Sequence, residues 1–116
     1  SEIVAHASVN ISYANGVKAV VVFTKTGSTA QLVNKFKPNV PVIVATPSEK
    51  AYNELALVFG AFPVKCEEYN STEEMFETGI SLARACVKLK TGDKIVIVSG
   101  EPNRIKGTNL IKVLTI

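Results

Sequence analysis

The chain contains no tryptophan, one methionine, one histidine and two cysteines, and these scarcities exclude several kinds of protein. Cys66 and Cys86 have no metal-ligand spacing around them, so they are expected to be buried thiols of a reducing cytosol. His6 has no Ser, Cys or Asp at a telling spacing, which favours a structural or exposed histidine over a catalytic base. Long apolar runs are missing too. Stretches such as Ala19 to Phe23 fall far short of the roughly 20 residues that cross a bilayer. No charged–apolar–small signal opens the chain, so a cytoplasmic location without a membrane partner is expected. Aromatic residues make up 7% of the chain and are scattered, and the net charge of +3 is spread along it. A nucleic-acid binder shows a clustered basic stripe instead, so no nucleic-acid partner is expected. What is present is ordinary for a globular protein: 116 residues, 47% hydrophobic and 20% charged. That composition fits a single domain over residues 1–116 with one core of moderate size.

The hydrophobic pattern alternates between helical and strand periods. Residues 3–14 place Val4, Ala7, Ile11 and Ala14 on one helical face, and Gly16 suits the left-handed position after a helix. Lys18 to Phe23 (KAVVVF) is a short, nearly continuous apolar run rich in Val, which fits a strand buried on both faces of a parallel sheet. After the polar turn Thr24–Thr29, Ala30, Leu32, Val33 and Phe36 form a short amphipathic helix that stops before Pro38. Val40 to Ala45 is a second strand, with Pro41 at its start. Thr46, Pro47 and Glu49 read as cap, first helical position and capping partner of a helix over 47–58. Phe62 to Cys66 is a third strand. Ser71 to Glu74 is a capping box, and it opens the longest helix, with Phe76, Ile80, Ala83 and Val87 inward. Lys94 to Ser99 (KIVIVS) is a fourth strand. A loop from Gly100 to Asn109 leads to a last strand, Leu110 to Ile116. The alternation predicts a three-layer α/β/α sandwich. The early strands are parallel because helical crossovers join them. The last is antiparallel, since the loop before it has no helical pattern.

Ligands of open α/β sheets bind beyond the carboxyl ends of the strands. Thr24, Lys25, Thr26, Gly27, Ser28 and Thr29 lie there, between a strand and a helix. The amide groups of a helix start carry the positive end of the helix dipole. Gly27 allows close backbone approach, the hydroxyls add donors, and Lys25 adds charge, a set that suits a phosphate group. A well-capped helix start in a polar loop has the same look, and the GxxxxGK[ST] phosphate loop is absent. Arg104, Lys106, Gly107, Thr108 and Asn109 form a second candidate, beside the first if strands 18–23 and 94–99 are neighbours. A solvated connecting loop accounts for them equally well. The acidic pairs Glu67–Glu68 and Glu73–Glu74 fit helix-dipole and solubility roles and lack a metal-binding partner. No constellation of nucleophile, base and oxyanion donors is present, so no catalytic or metal-binding residue is assigned.

In order along the chain, several segments resemble the C-terminal domain of pyruvate kinases. AVVVFTKTGSTAQLVNKFKPNVPVIVATP is similar to the family's apolar strand, T-[EK]-[ST]-G-R-[ST]-A turn, and helix ending near K-[FY]-[RK]-P-N-x-P-[IV]. LALVFGAFPV, YNSTEEMFETGISLARA, TGDKIVIVSG and GTNLIKV resemble the segments that follow in the family. The likeness spans essentially the whole chain.

The resemblance implies a five-stranded mixed sheet with an antiparallel last strand. It also implies a regulatory role in an enzyme that converts phosphoenolpyruvate and ADP to pyruvate and ATP in glycolysis. In the family this domain binds an allosteric effector whose phosphate sits in the turn that corresponds to Thr24–Thr29, helped by the loop at Gly107 and Thr108. The first helix and the last strand make a contact between subunits. Here Ser28 stands in place of the family's Arg, and Lys25, Arg104 and Lys106 are the candidates to restore its charge. The region opening at Ser71 lacks the Trp and Arg that hold a second phosphate, which favours AMP or a sugar monophosphate over a bisphosphate. An assembly module that binds no ligand is the alternative. The family's catalytic barrel, with its Mg2+ ligands and the K+ of the parent reaction, has no counterpart in these motifs. The domain alone is therefore expected to hold no cofactor and to be inactive, its partners being the catalytic domains, an effector and further subunits.

Overall fold

A computed structural model describes residues 2–57, 60–99 and 110–116. The helices and strands follow in the order α1 (Glu2–Ser12), β1 (Val17–Phe23), α2 (Ser28–Lys35), β2 (Val42–Thr46), α3 (Glu49–Leu55), β3 (Ala61–Lys65), α4 (Thr72–Cys86), β4 (Lys94–Ser99) and β5 (Leu110–Thr115). The sheet runs β3-β2-β1-β4-β5. The first four strands are parallel, and β5 returns antiparallel along β4, with Lys94 opposite Thr115 and Ser99 opposite Leu110. This is the mixed five-stranded α/β sheet that the sequence predicts.

The alternation of side chains assigns each strand residue to one of two cores. Val20, Val22, Val42, Val44, Val96 and Val98 face α1, α2 and α3. Ala19, Val21, Phe23, Ile43, Ala45, Ile95 and Ile97 face α4. Both faces of β1, β2 and β4 are covered, which is why these strands read as continuous apolar runs. The edge strands β3 and β5 are only partly buried.

Several elements differ from the sequence expectation: β2 starts at Val42 rather than 40, β3 spans Ala61–Lys65 rather than 62–66, and α4 buries Met75, Gly79 and Ala83 while Phe76, Ile80 and Val87 flank the core; α1 and α3 differ most. On α1 the fully buried positions are Ala5, Ser8, Val9 and Ser12, while Val4 and Ile11 only flank the core and Ala14 is exposed beyond the helix end. Ser8 and Ser12 enter the core because each hydroxyl donates to a carbonyl of its own helix, those of Ala5 (2.7 Å) and Val9 (2.5 Å), which removes the cost of burying an unpaired polar group. The second difference is α3, which begins at Glu49 rather than 47. Ser48, not Thr46, is its cap, with Oγ accepting the Ala51 N–H at 3.1 Å. Thr46 remains the last residue of β2, fully buried, and its hydroxyl accepts the Ser48 N–H at 3.1 Å.

Candidate functional site

The strand order places the carboxyl ends of β1 and β4 side by side, with Val22 opposite Val98. At this point successive connections leave in opposite directions, α2 towards β2 on one face and α4 from β3 on the other. A crevice opens at such a reversal in α/β sheets. The neighbouring of strands 18–23 and 94–99, on which the pairing of the two candidate loops depends, is therefore present. Arg104, Lys106, Gly107 and Thr108 themselves lie outside the described residues.

The turn from Thr24 to Thr29 is built by its own side chains. Thr24 N–H donates to the Ala45 carbonyl at 3.0 Å, which continues the β1–β2 ladder by one bond. The Thr24 hydroxyl then accepts the Gly27 N–H at 3.0 Å, and the Thr26 hydroxyl accepts the Ser28 N–H at 3.3 Å. Thr26 Oγ1 and Ser28 Oγ share a hydrogen bond of 3.0 Å. Gly27 caps α2 at φ 89°, ψ −7°, the left-handed region that a side chain enters only with strain. Its α-carbon also faces Leu55, 3.5 Å from where a Cβ would stand. Gly27 has no side chain to accept from the helix, so the side-chain acceptor at this start is the Thr26 hydroxyl one residue earlier, and the first turn carries no acidic residue. Lys25, Thr26 and Ser28 are exposed, Thr24 is half-buried, and Gly27 and Thr29 are buried. The sequence-predicted ligands thus divide in two: Lys25, Thr26 and Ser28 face solvent, and Thr29 belongs to the core side of the turn.

Two residues that the sequence reading did not single out as ligands lie beside this turn. The Lys25 ammonium is 3.3 Å from the Glu68 carboxylate. Tyr69 sets its ring edge-on against Phe23, the last residue of β1, at 5.4 Å between centroids. Its hydroxyl hydrogen-bonds Ser99 Oγ, at the end of β4, at 2.5 Å. Glu68 and Tyr69 are on the segment joining β3 to α4, which has to cross the ends of β2 and β1 to reach β4. Only the strand order signals that, and no local motif does.

The remaining candidates have structural surroundings. His6 is exposed and packs its ring on Phe36 of the α2 end at 4.8 Å. Cys86 is exposed and Cys66 only half-buried, so the expectation that both thiols are buried is corrected. Burial still pushes the Cys66 thiol above its ordinary pKa. Glu74 caps α4 in part: its N–H donates to Ser71 Oγ at 3.1 Å, and its carboxylate accepts the Asn70 N–H at 3.4 Å. No group of three or more His, Cys, Asp or Glu side chains comes together among the described residues. No helix among the described residues is long and apolar enough to cross a membrane. A groove of about 410 Å3 between Asn34, Lys37, Val40 and Gly60 lies at the opposite, amino end of the strands.

Known proteins match this arrangement along its length. The family described as "Pyruvate kinase, alpha/beta domain" matches residues 2–114. A pyruvate kinase of Clostridium perfringens is 43% identical over 97 residues, which is 83% of this chain and 20% of that protein. One from Staphylococcus haemolyticus is 37% identical over 110 residues, covering 94% of this chain and 18% of that protein. One from Lactococcus lactis is 34% identical over 116 residues, covering 100% of this chain and 23% of that protein. The chain spans about a fifth of the length of these relatives. Four parallel strands, an antiparallel fifth and a match from the first helix to the last strand lead to one conclusion: this chain belongs to the pyruvate kinase alpha/beta domain family.

Proposed function

We propose that the chain is the regulatory domain of a cytoplasmic pyruvate kinase, and that it binds the phosphate of a small effector at the Thr24–Thr29 turn. The observation that carries the reading is the start of α2. A buried glycine in the left-handed region caps the helix, no acid stands in its first turn, and exposed Lys25, Thr26 and Ser28 surround it. A helix start of this kind attracts an anion. The Thr26 and Ser28 hydroxyls are placed to reach it, and Lys25 supplies a point charge. With Ser28 where the family has Arg, one bidentate donor is lost. That favours a ligand with a single phosphate, AMP or a sugar monophosphate, over a bisphosphate. The chemistry of phosphoenolpyruvate and ADP, with its Mg2+ and K+, belongs to the parent's catalytic domains. This domain acts by binding one arrangement of the subunits better than another.

Calorimetric titration of AMP, glucose 6-phosphate and fructose 1,6-bisphosphate into this chain tests the reading. One of the monophosphates is expected to bind more tightly than the bisphosphate, and a Thr26→Ala, Ser28→Ala variant is expected to lose about tenfold or more in affinity, the equivalent of roughly 1.4 kcal/mol. Equal heats from the variant and the parent chain would sink the turn as the site.

A specific observation also favours a subunit contact through α1 and β5. Ile3 on α1 is 86% exposed and Val113 on β5 is 40% exposed, and β5 is an edge strand of the sheet. A domain serving only assembly would dimerise through this surface and ignore every phosphate compound. Gel filtration of the chain and of an Ile3→Glu, Val113→Glu variant separates that alternative from the effector reading.

A further inference from the structure

We propose that residues 66–71 form a strap across the carboxyl ends of the parallel strands, anchored at Tyr69 and held at Glu68 by a catch that an anion at the β1–α2 turn releases. The strap is tied at each strand it passes. The Cys66 N–H donates to the Thr46 carbonyl at the end of β2 (3.0 Å). The Tyr69 ring meets Phe23 at the end of β1, and its hydroxyl meets Ser99 at the end of β4. From there the chain enters α4 through the Asn70 N–H to Glu74 carboxylate bond and the Ser71 cap.

The two ties at the centre differ in kind. Tyr69 combines an edge-to-face ring contact with a part-buried hydrogen bond to the hydroxyl of Ser99, itself a fully buried residue. Glu68 and Lys25 are 65% and 73% exposed, so their attraction is weak, screened by salt and easily replaced. Lys25 immediately precedes Thr26 of the proposed anion site. A phosphate that draws the ammonium to itself leaves Glu68 beside a like charge, and the carboxylate moves away. Asn70 and the first turn of α4 follow directly in the chain, so release of the catch reaches the helix that covers this face of the sheet. The strap and its two ties stand without a ligand; only the release by an anion rests on the function proposed above.

Solvent exchange of backbone amides, measured by NMR on this chain, tests both parts. Glu68→Gln is expected to speed exchange at Gly27, Ser28 and Asn70 about two- to fivefold, the range of an exposed ion pair. The Ile43 and Val96 amides inside the sheet should not change. Raising NaCl from about 0.05 to about 0.5 M should reproduce that effect in the parent chain and add nothing in Glu68→Gln. Tyr69→Phe, which keeps the ring, should speed Asn70 about tenfold at any salt concentration, as expected for losing a hydrogen bond worth about 1.4 kcal/mol. If Tyr69→Phe fails to fold, the Glu68→Gln and salt arms decide alone. Inorganic phosphate should slow Gly27 and Ser28 and speed Asn70. Glu68→Gln or salt without effect, or with equal effect on the sheet amides, overturns the strap. Phosphate that slows Gly27 and Ser28 but leaves Asn70 unchanged overturns release by an anion while the anion site survives. Phosphate without effect at any amide, in a chain where Glu68→Gln acts, overturns the anion site and release together and leaves the two ties standing.

Discussion

The starts of α2 and α4 lie at the same end of one sheet and solve the same problem in opposite ways. Each helix has amide groups in its first turn with no partner inside the helix. α4 meets this locally: Ser71 accepts the Glu74 N–H, and Glu73 and Glu74 place negative charge on the positive end of the dipole. α2 has a left-handed glycine for a cap and no acid in its first turn. Its charged neighbour is a lysine, of the sign that the helix start itself carries. The first arrangement serves stability. The second leaves the Ser28 N–H to the Thr26 hydroxyl and sets Lys25, paired with Glu68, beside the helix start, and the proposed regulatory reading rests on that contrast.

The contrast is open to direct attack. The largest effect is expected from Gly27→Ala. Holding a side chain at φ 89° costs about 1–2 kcal/mol, and urea denaturation should register it as an earlier midpoint with an unchanged slope. A midpoint within error of the parent chain would mean that the turn relaxes to another conformation. Next comes Ser71→Ala, which removes the α4 cap and should cost about 1 kcal/mol. Thr26→Ala with Ser28→Ala, both on the exposed side of the α2 start, should stay within about 0.5 kcal/mol. Equal losses from these two substitutions would make the hydroxyls of the turn structural caps and erase the distinction. The smallest effect is the most diagnostic. Ser28→Glu gives α2 the first-turn acid it lacks and should stabilise the fold by about 0.3–1 kcal/mol at low salt while abolishing phosphate binding. Stabilisation without loss of binding would place the anion somewhere else.

Much of this was legible in the sequence because the central strands are buried on both faces. β4 could be read to the residue from KIVIVS, and Ser71 announced α4 by the spacing of its capping box. Reading failed where a polar residue is hidden by a bond to its own backbone. Ser8 and Ser12 look like surface residues, yet they carry the buried stripe of α1. Thr46 looks like a cap, yet it ends a strand. The candidate turn at Thr24–Thr29 was visible because its residues are contiguous. Glu68 and Tyr69 were not, because they reach the turn only through the path the chain takes across the sheet. Residue type and spacing carry no trace of such a path until the strand order is known.

The position of β1 at the centre of the sheet also shapes how the protein is made. Its left-hand partner, β2, follows within a short crossover, with Val20 beside Val42. Its right-hand partner is far along the chain, with Val20 beside Val96. Until residues 94–99 have left the ribosome, the VVVF edge of β1 is an unpaired, strongly apolar strand of the kind that recruits other chains. Closing that gap demands a loop spanning most of the molecule, which slows folding. Chains truncated within α4 should therefore accumulate as aggregates, and β4 decides whether synthesis ends in a folded chain or a deposit.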